Sequence, residues 1–242
     1  MISENWQERT ELLLGEEKLQ VLNNAKVLIA GVGGVGGYAA EQLVRTGIGN
    51  ITIVDHDTIH DSNRNRQIVA LTSTVGKSKV DVLKERFRQI NPELKLTIID
   101  DFLRDEKMPK IITNEYDYVI DAIDTLSPKV SLLHHCVTNE IKVVSSMGAG
   151  AKTDPTQTKV SDISKSYNCR LALYIRKHLH RLGIYKGFKV VFSTEKADKT
   201  AVVDVENEQN KKSIVGTISY MPAVFGCFCA YVVVDELLNT KK

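Results

Sequence analysis

Val27-Leu28-Ile29-Ala30-Gly31-Val32-Gly33-Gly34-Val35-Gly36 is the stretch that decides the fold. Four apolar residues read as a buried strand, glycines follow at 31, 33, 34 and 36, and a helical pattern runs over 35–46. A strand–turn–helix of this kind lets the backbone approach phosphate while the helix N-terminus supplies free N–H donors. Asp55 closes the next apolar run, Ile51-Thr52-Ile53-Val54, where a carboxylate accepts hydrogen bonds from ribose hydroxyls. Taken alone, this pattern suits a dinucleotide.

Outward from the turn, strand-like runs at 26–30, 50–54, 95–99, 117–121 and 142–146 alternate with helical patterns at 35–46, 76–90, 105–114 and 128–140. The alternation predicts an α/β fold: a Rossmann-like, doubly wound, mainly parallel sheet with helices on both faces. A helix is expected over 9–23, with Leu12, Leu13, Leu19 and Leu22 at mostly helical spacing. After Met147-Gly148-Ala149-Gly150-Ala151 the pattern changes to a C-terminal extension of short strands at 160–163 and 190–194, a helix over 168–182, and a closing apolar helix from Met221 to Leu238. The polar stretch 195–213 is expected to be a mobile loop. The chain therefore reads as one domain, 1–242, with a nucleotide-binding part at about 24–150 and a substrate-binding extension at about 151–242.

With 242 residues, 43% hydrophobic and 26% charged, the chain can build a large core, and its net charge of +2 by itself says nothing about nucleic acid. Cys136, Cys169, Cys227 and Cys229 include no Cys-x-x-Cys pair, which argues against a zinc knuckle. Few cysteines and the polar start give the expectation of a reducing, cytoplasmic setting. Ile218 to Val234 is nearly free of charge but holds Pro222 and Gly226, so a buried core helix is expected and no stable membrane insertion.

The residues after Asp55 turn the reading from a nicotinamide cofactor to ATP. Arg66 is a bidentate donor and Lys79 a compact point charge, a pair suited to triphosphate oxygens. Asp124 follows the fourth strand, at the sheet's carboxyl edge, where a carboxylate can hold Mg2+ together with phosphate oxygens. In a hydride-transfer enzyme these three charges would have no evident work.

The combination Gly-x-Gly-Gly-x-Gly, Asp55, Asn63-x-x-Arg66-Gln67, Lys79 and Asp124 resembles the ubiquitin-activating-enzyme superfamily, which includes the thiamin and molybdopterin adenylyltransferases. The resemblance implies that Gly31, Gly33, Gly34, Gly36, Asp55, Asn63, Arg66, Gln67, Lys79 and Asp124 bind ATP. Arg66 and Lys79 would neutralise phosphate charge, Asp124 would place Mg2+, and Asn63 and Gln67 would orient phosphate or backbone. It also implies a homodimer in which Arg9 enters the neighbouring subunit's site. Arg9-Thr10-Glu11-Leu12-Leu13-Leu14-Gly15, Asn63-Arg64-Asn65-Arg66-Gln67-Ile68, Gln89-Ile90-Asn91-Pro92, Val119-Ile120-Asp121-Ala122-Ile123-Asp124, Gly148-Ala149-Gly150, Asp154-Pro155-Thr156 and Val191-Phe192-Ser193-Thr194-Glu195 are similar to the tRNA threonylcarbamoyladenosine dehydratases. That family adenylates a threonyl carboxylate on the adenosine beside the anticodon, and an intramolecular nucleophile then closes the ring and expels AMP, a step that proximity favours. The resemblance brings with it a bound monovalent cation (Na+ or K+) and a sulfur-transfer or cysteine-desulfurase partner as further expectations.

The residues themselves also point towards RNA. From Lys165 to Lys189 there is no Asp or Glu, while Lys165, Arg170, Arg176, Lys177, Arg181, Lys186 and Lys189 are basic. A helix with Leu171, Ile175, Leu179 and Leu182 inward would turn Arg176, Lys177, His180 and Arg181 to solvent, beside the aromatic Tyr167, Tyr174 and Tyr185. The competing functions are adenylation of a ubiquitin-like sulfur carrier, an NAD-dependent oxidoreductase, and a non-catalytic nucleotide-binding module. In the first of these Cys169 would be a candidate nucleophile, although a structural cysteine is the preferred reading. For His134-His135 a packing or surface role is preferred to metal binding, and for His56 and His60, which flank Asp57, a packing or surface role is preferred to an approach to substrate.

Overall fold

The computed structural model describes residues 5–103, 106–204 and 213–239. The elements follow as α1 (Glu8–Leu14), α2 (Glu16–Asn24), β1 (Lys26–Ala30), α3 (Gly36–Thr46), β2 (Asn50–Val54), α4 (Lys79–Ile90), β3 (Lys95–Ile99), the one-turn α5 (Met108–Ile111), β4 (Tyr118–Asp121), α6 (Leu126–Thr138), β5 (Val143–Ser146), β6 (Thr158–Asp162), α7 (Arg170–Arg181), β7 (Lys189–Ser193), β8 (Val202–Asp204), β9 (Ser213–Val215) and α8 (Tyr220–Asn239). Seven strands form one sheet in the order β3-β2-β1-β4-β5-β7-β6, and β8 pairs with β9. All neighbours in the large sheet are parallel except β6, which runs antiparallel to β7. The order reverses at β1, and the register sets Ala30, Val54 and Asp121 side by side at the carboxyl edge, where an open α/β sheet binds its ligand.

Alternation along β1 feeds two cores. Val27 and Ile29 pack with Ala39, Leu43, Val80, Leu83, Phe225 and Cys229 under α3, α4 and α8. Leu28 and Ala30 pack with Leu132, Leu133, Ile175 and Leu179 under α6 and α7. α8 is the one described helix long and apolar enough to cross a membrane, and here it is a core helix with Met221, Phe225, Cys229, Val232 and Val233 buried.

Several expectations need correction. The helix over 9–23 is two helices broken at Gly15 (φ 84°, ψ 159°), because the extended turn there cannot continue a helical ladder. Leu19 and Leu22 are buried, but Leu12 and Leu13 are 74% and 82% exposed. Of the helix expected over 105–114, residue 105 lies outside the described residues, and the rest holds only the single turn of α5, whose second residue is Pro109. The second crossover helix begins at Lys79, three residues late, because Ser78 bridges to Thr58 and Lys77 O accepts from Ile59 N. The stretch 195–213 is not all loop: it carries a 3-10 turn at Lys199–Ala201 and both ends of the β8–β9 pair, while 205–212 lie outside the described residues.

Close approach of α8 to α3 depends on Gly226, where a Cβ would stand 2.5 Å from Val35 O and 2.8 Å from Tyr38 Cβ. Gly226→Ala is therefore expected to lose about 1–3 kcal/mol of stability through overpacking, read as a lower urea midpoint.

Candidate active site at the carboxyl edge

The phosphate turn is built by backbone proximity. A Cβ at Gly36 would lie 1.8 Å from Gly31 O, so only glycine lets the chain double back between β1 and α3. The residue before α3, Val35, gives no side-chain cap. Gly37 N donates back to Gly33 O at 3.1 Å, and the helix start, without a side-chain cap, turns the positive end of its dipole to the edge. Asp55 is locked beside the turn: Oδ2 accepts from Val32 N at 2.8 Å and Oδ1 from Asp57 N at 2.9 Å.

The 61–67 loop closes over the glycines. Asn63 is buried, and its Oδ1 accepts from His60 N at 3.1 Å. The Arg66 stem covers the turn, with Cγ 3.6 Å from the Cβ position of Gly34, and its Nη1 donates to Ser62 O (3.0 Å) and Asn65 Oδ1 (2.8 Å). Gln67 is buried with its amide nitrogen 3.6 Å from the Cβ position of Gly33, and its buried Oε1 has no protein partner. A buried amide left without a partner is destabilising by about 1–3 kcal/mol, so an orphan here marks a place for a polar ligand. The helix start and the Arg66 guanidinium are donors that fit a nucleotide phosphate, whereas Gln67 Oε1 is an acceptor and fits a ligand hydroxyl or amino group.

Lys79, expected as a point charge for triphosphate oxygens, is buried against carboxylates. Its side chain is 5% exposed, with Nζ 2.7 Å from Asp57 Oδ2 and 4.0 Å from Asp55 Oδ1. The late start of α4 draws Lys79 under the loop after β2, where it neutralises two carboxylates. Asp57 is thus a site residue that the sequence reading missed; its signal was the spacing Asp55-His56-Asp57. Those three are the one described group whose ligand atoms all fall within 4.8 Å, and Asp124 is not among them.

Asp124 is exposed on the loop after β4. That loop is held from below by a second missed feature, the fully buried Asp121–Lys129 ion pair at 2.7 Å. Ser145 Oγ donates to Asp121 Oδ2 at 2.6 Å, Asp121 Oδ1 accepts from Ile123 N at 3.1 Å, and Lys129 Nζ donates to Ile123 O at 3.0 Å. Burial pushes the Asp121 carboxyl above its ordinary range, against the pull of Lys129 and Ser145. Burial also pushes the Cys136 and Cys229 thiols up to about 12, which makes them packing residues. Cys169 is buried at the start of α7, where its side chain makes no capping bond.

The basic segment divides. On α7, Ala172, Ile175 and Leu179 face inward, while Leu182, expected inside, is 50% exposed. Arg170, Lys177, Arg181 and Lys186 are exposed, and Arg170 lies over the Tyr174 ring at 5.6 Å. Arg176 is instead half-buried, donating to Ser166 O at 2.8 Å and to Ser166 Oγ, and Lys189 pairs with Glu236 at 2.9 Å. Those two cations are occupied within the fold. Arg9 is exposed on α1, a helix without a buried residue.

This fold and edge site define a nucleotide-binding protein of known lineage: the ThiF family profile matches residues 7–242, and the chain belongs to that family. Within it, the chain is similar to the tRNA threonylcarbamoyladenosine dehydratase of Bacillus subtilis (strain 168), 40% identical over an alignment covering 96% of this chain and 94% of the relative. A crystal structure of the Escherichia coli tRNA N6-threonylcarbamoyladenosine dehydratase in complex with ATP superposes with a TM-score of 0.88 at 38% identity, covering 98% of this chain and 97% of that one. The molybdopterin-synthase adenylyltransferase of Escherichia coli (strain K12) is 30% identical over 64% of this chain and 62% of its own length.

Lys129→Met would leave Asp121 as an unpaired buried charge. Its expected effect is a loss of about 3–5 kcal/mol in urea unfolding.

Proposed function

We propose that the protein is an ATP-dependent tRNA threonylcarbamoyladenosine dehydratase. The observation that carries this reading is the placement of Arg66 and Gln67 over the glycine turn at an uncapped helix start, in a chain alike over almost its whole length to dehydratases. ATP is a substrate: its phosphates take the turn and Arg66, and its ribose takes Asp55. The threonyl carboxylate attacks the α-phosphorus, forming the acyl-adenylate and releasing pyrophosphate. An intramolecular nucleophile of the modified base then attacks the acyl carbon, the ring closes, and AMP leaves with the bonding electrons. Arg66 screens charge that builds on the phosphate during the first step, when positive groups fixed in place act most strongly.

In this reading Asp124 holds Mg2+, which would neutralise phosphate charge when bound. Lys79 acts one step back, keeping Asp55 and Asp57 compact. A monovalent cation belongs to the same proposal without an assigned ligand set. The enzyme works in the cytoplasm as a homodimer: Leu12, Leu13 and Tyr231 are exposed apolar groups on α1 and α8, and Arg9 on α1 reaches the partner's site. A sulfur-transfer or cysteine-desulfurase partner is a subsidiary proposal. tRNA lies along Arg170, Lys177, Arg181 and Lys186, with Tyr174 as a stacking surface.

Mass spectrometry of tRNA nucleosides after incubation with protein, ATP and Mg2+ should show threonylcarbamoyladenosine converted to its cyclic form. Persistence of the nucleoside, with adenylation of a small sulfur-carrier protein's C-terminus, would replace this reading. Asp124→Ala should slow pyrophosphate release by about 100-fold or more, and full activity would remove Asp124 from the metal site. The Lys177→Ala, Arg181→Ala double variant should flatten the slope of log affinity for tRNA against log salt by roughly one to two.

A further inference from the structure

The segment from β9 into α8 crosses the carboxyl edge and is fastened by hydrogen bonds more than by packing. Ile214, Val215, Ile218 and Tyr220 are all at least 40% exposed. Gly216 N donates to Ala201 O and Gly216 O accepts from Ala151 N, both at 2.8 Å, tying the segment to the 3-10 turn before β8 and to the loop after β5. Tyr220 OH donates to Thr153 O at 2.8 Å on the same side. On the opposite side of the crevice one side chain holds it: Asn65 Nδ2 donates to Thr217 O at 2.9 Å. The other face of that amide is occupied as well, because Asn65 Oδ1 accepts from Arg66 Nη1 at 2.8 Å. Beyond the segment, Pro222 Cβ comes within 3.2 Å of the Cβ position of Gly34, so α8 starts against the phosphate turn itself.

We propose that Asn65 is a positioning residue that couples the phosphate-binding Arg66 to the β9–α8 segment. This inference rests on the reading of the edge site as an ATP site. One planar amide sets both partners. Its oxygen fixes the plane of the guanidinium, and its nitrogen fixes the strap. When phosphate draws Arg66 into one geometry, the amide is held in one rotamer and the strap gains a firm anchor. By linkage, a firm strap strengthens phosphate binding by the same factor. A segment secured by few contacts is where such an effect is largest.

Hydrogen exchange of the Ile214–Gly216 amides, measured with and without ATP, tests the coupling alongside calorimetric ATP binding. In the natural protein ATP should slow exchange there. Asn65 is exposed, so Asn65→Ala should fold with an unchanged circular dichroism spectrum. It should bind ATP about five-fold more weakly or worse, and ATP should no longer slow exchange in the segment. Asn65→Gln keeps both amide groups and should restore part of each effect. The proposal is overturned if ATP slows exchange equally in Asn65→Ala, or if the natural protein binds ATP with no change in the segment. Failure of the natural protein to bind ATP at all would overturn the reading of the site itself.

Discussion

Beneath the carboxyl edge, Lys129 and Asp121 meet at 2.7 Å with neither side chain exposed. Two charges out of water are tolerated only when their geometry is good and their remaining hydrogen-bonding groups are satisfied. Ser145, Ile123 N and Ile123 O supply that satisfaction. The pair thereby joins β4, β5 and α6 and sets the course of the 121–129 loop. The Gly31 turn packs on this loop, with Ala122 O 3.0 Å from the Cβ position of Gly31. The phosphate turn and Asp124 consequently share one foundation, although neither contains a member of the pair.

A second fixed point sits on the other side of β1. Asp55 is bound by the turn through Val32 N and balanced by Lys79. Asp55, the glycine turn and the start of α4 are thus one unit, and the Arg66 stem covers the turn. Charges that look alike in sequence divide sharply in space: Lys79 and Lys129 are internal counterions, Arg176 and Lys189 are occupied within the extension, and Arg170, Lys177, Arg181 and Lys186 remain on the surface.

The first half of the sheet was legible because its signals are local. Apolar runs rich in Val, Ile and Leu placed β1, β2 and β3 on their observed bounds, and Asp55 follows β2 as the pattern required. What was missed depends on contacts between distant segments. Leu12 and Leu13 carry the periodicity of buried residues, yet Gly15 turns the chain so that they face outward. The Lys79–Asp57 pair forms because the loop after β2 folds back on α4, a closure that no helical or strand period encodes. Lys129 was hidden in an apolar helix, where its only signal was being out of place.

The close fit of α8 against α3 bears on how the molecule assembles. α3 lies near the beginning of the chain and α8 follows the whole seven-stranded sheet, yet the two share one apolar interior around Leu43, Phe225 and Cys229. Contacts of such long sequence separation delay folding, because loop entropy is lost before they form. Until α8 docks, the part of one sheet face formed by β4, β5, β7 and β6 remains open to water and to other chains. The first half of the sheet, recognisable by itself in sequence, thus shares its interior with a helix from the C-terminal end of the described chain.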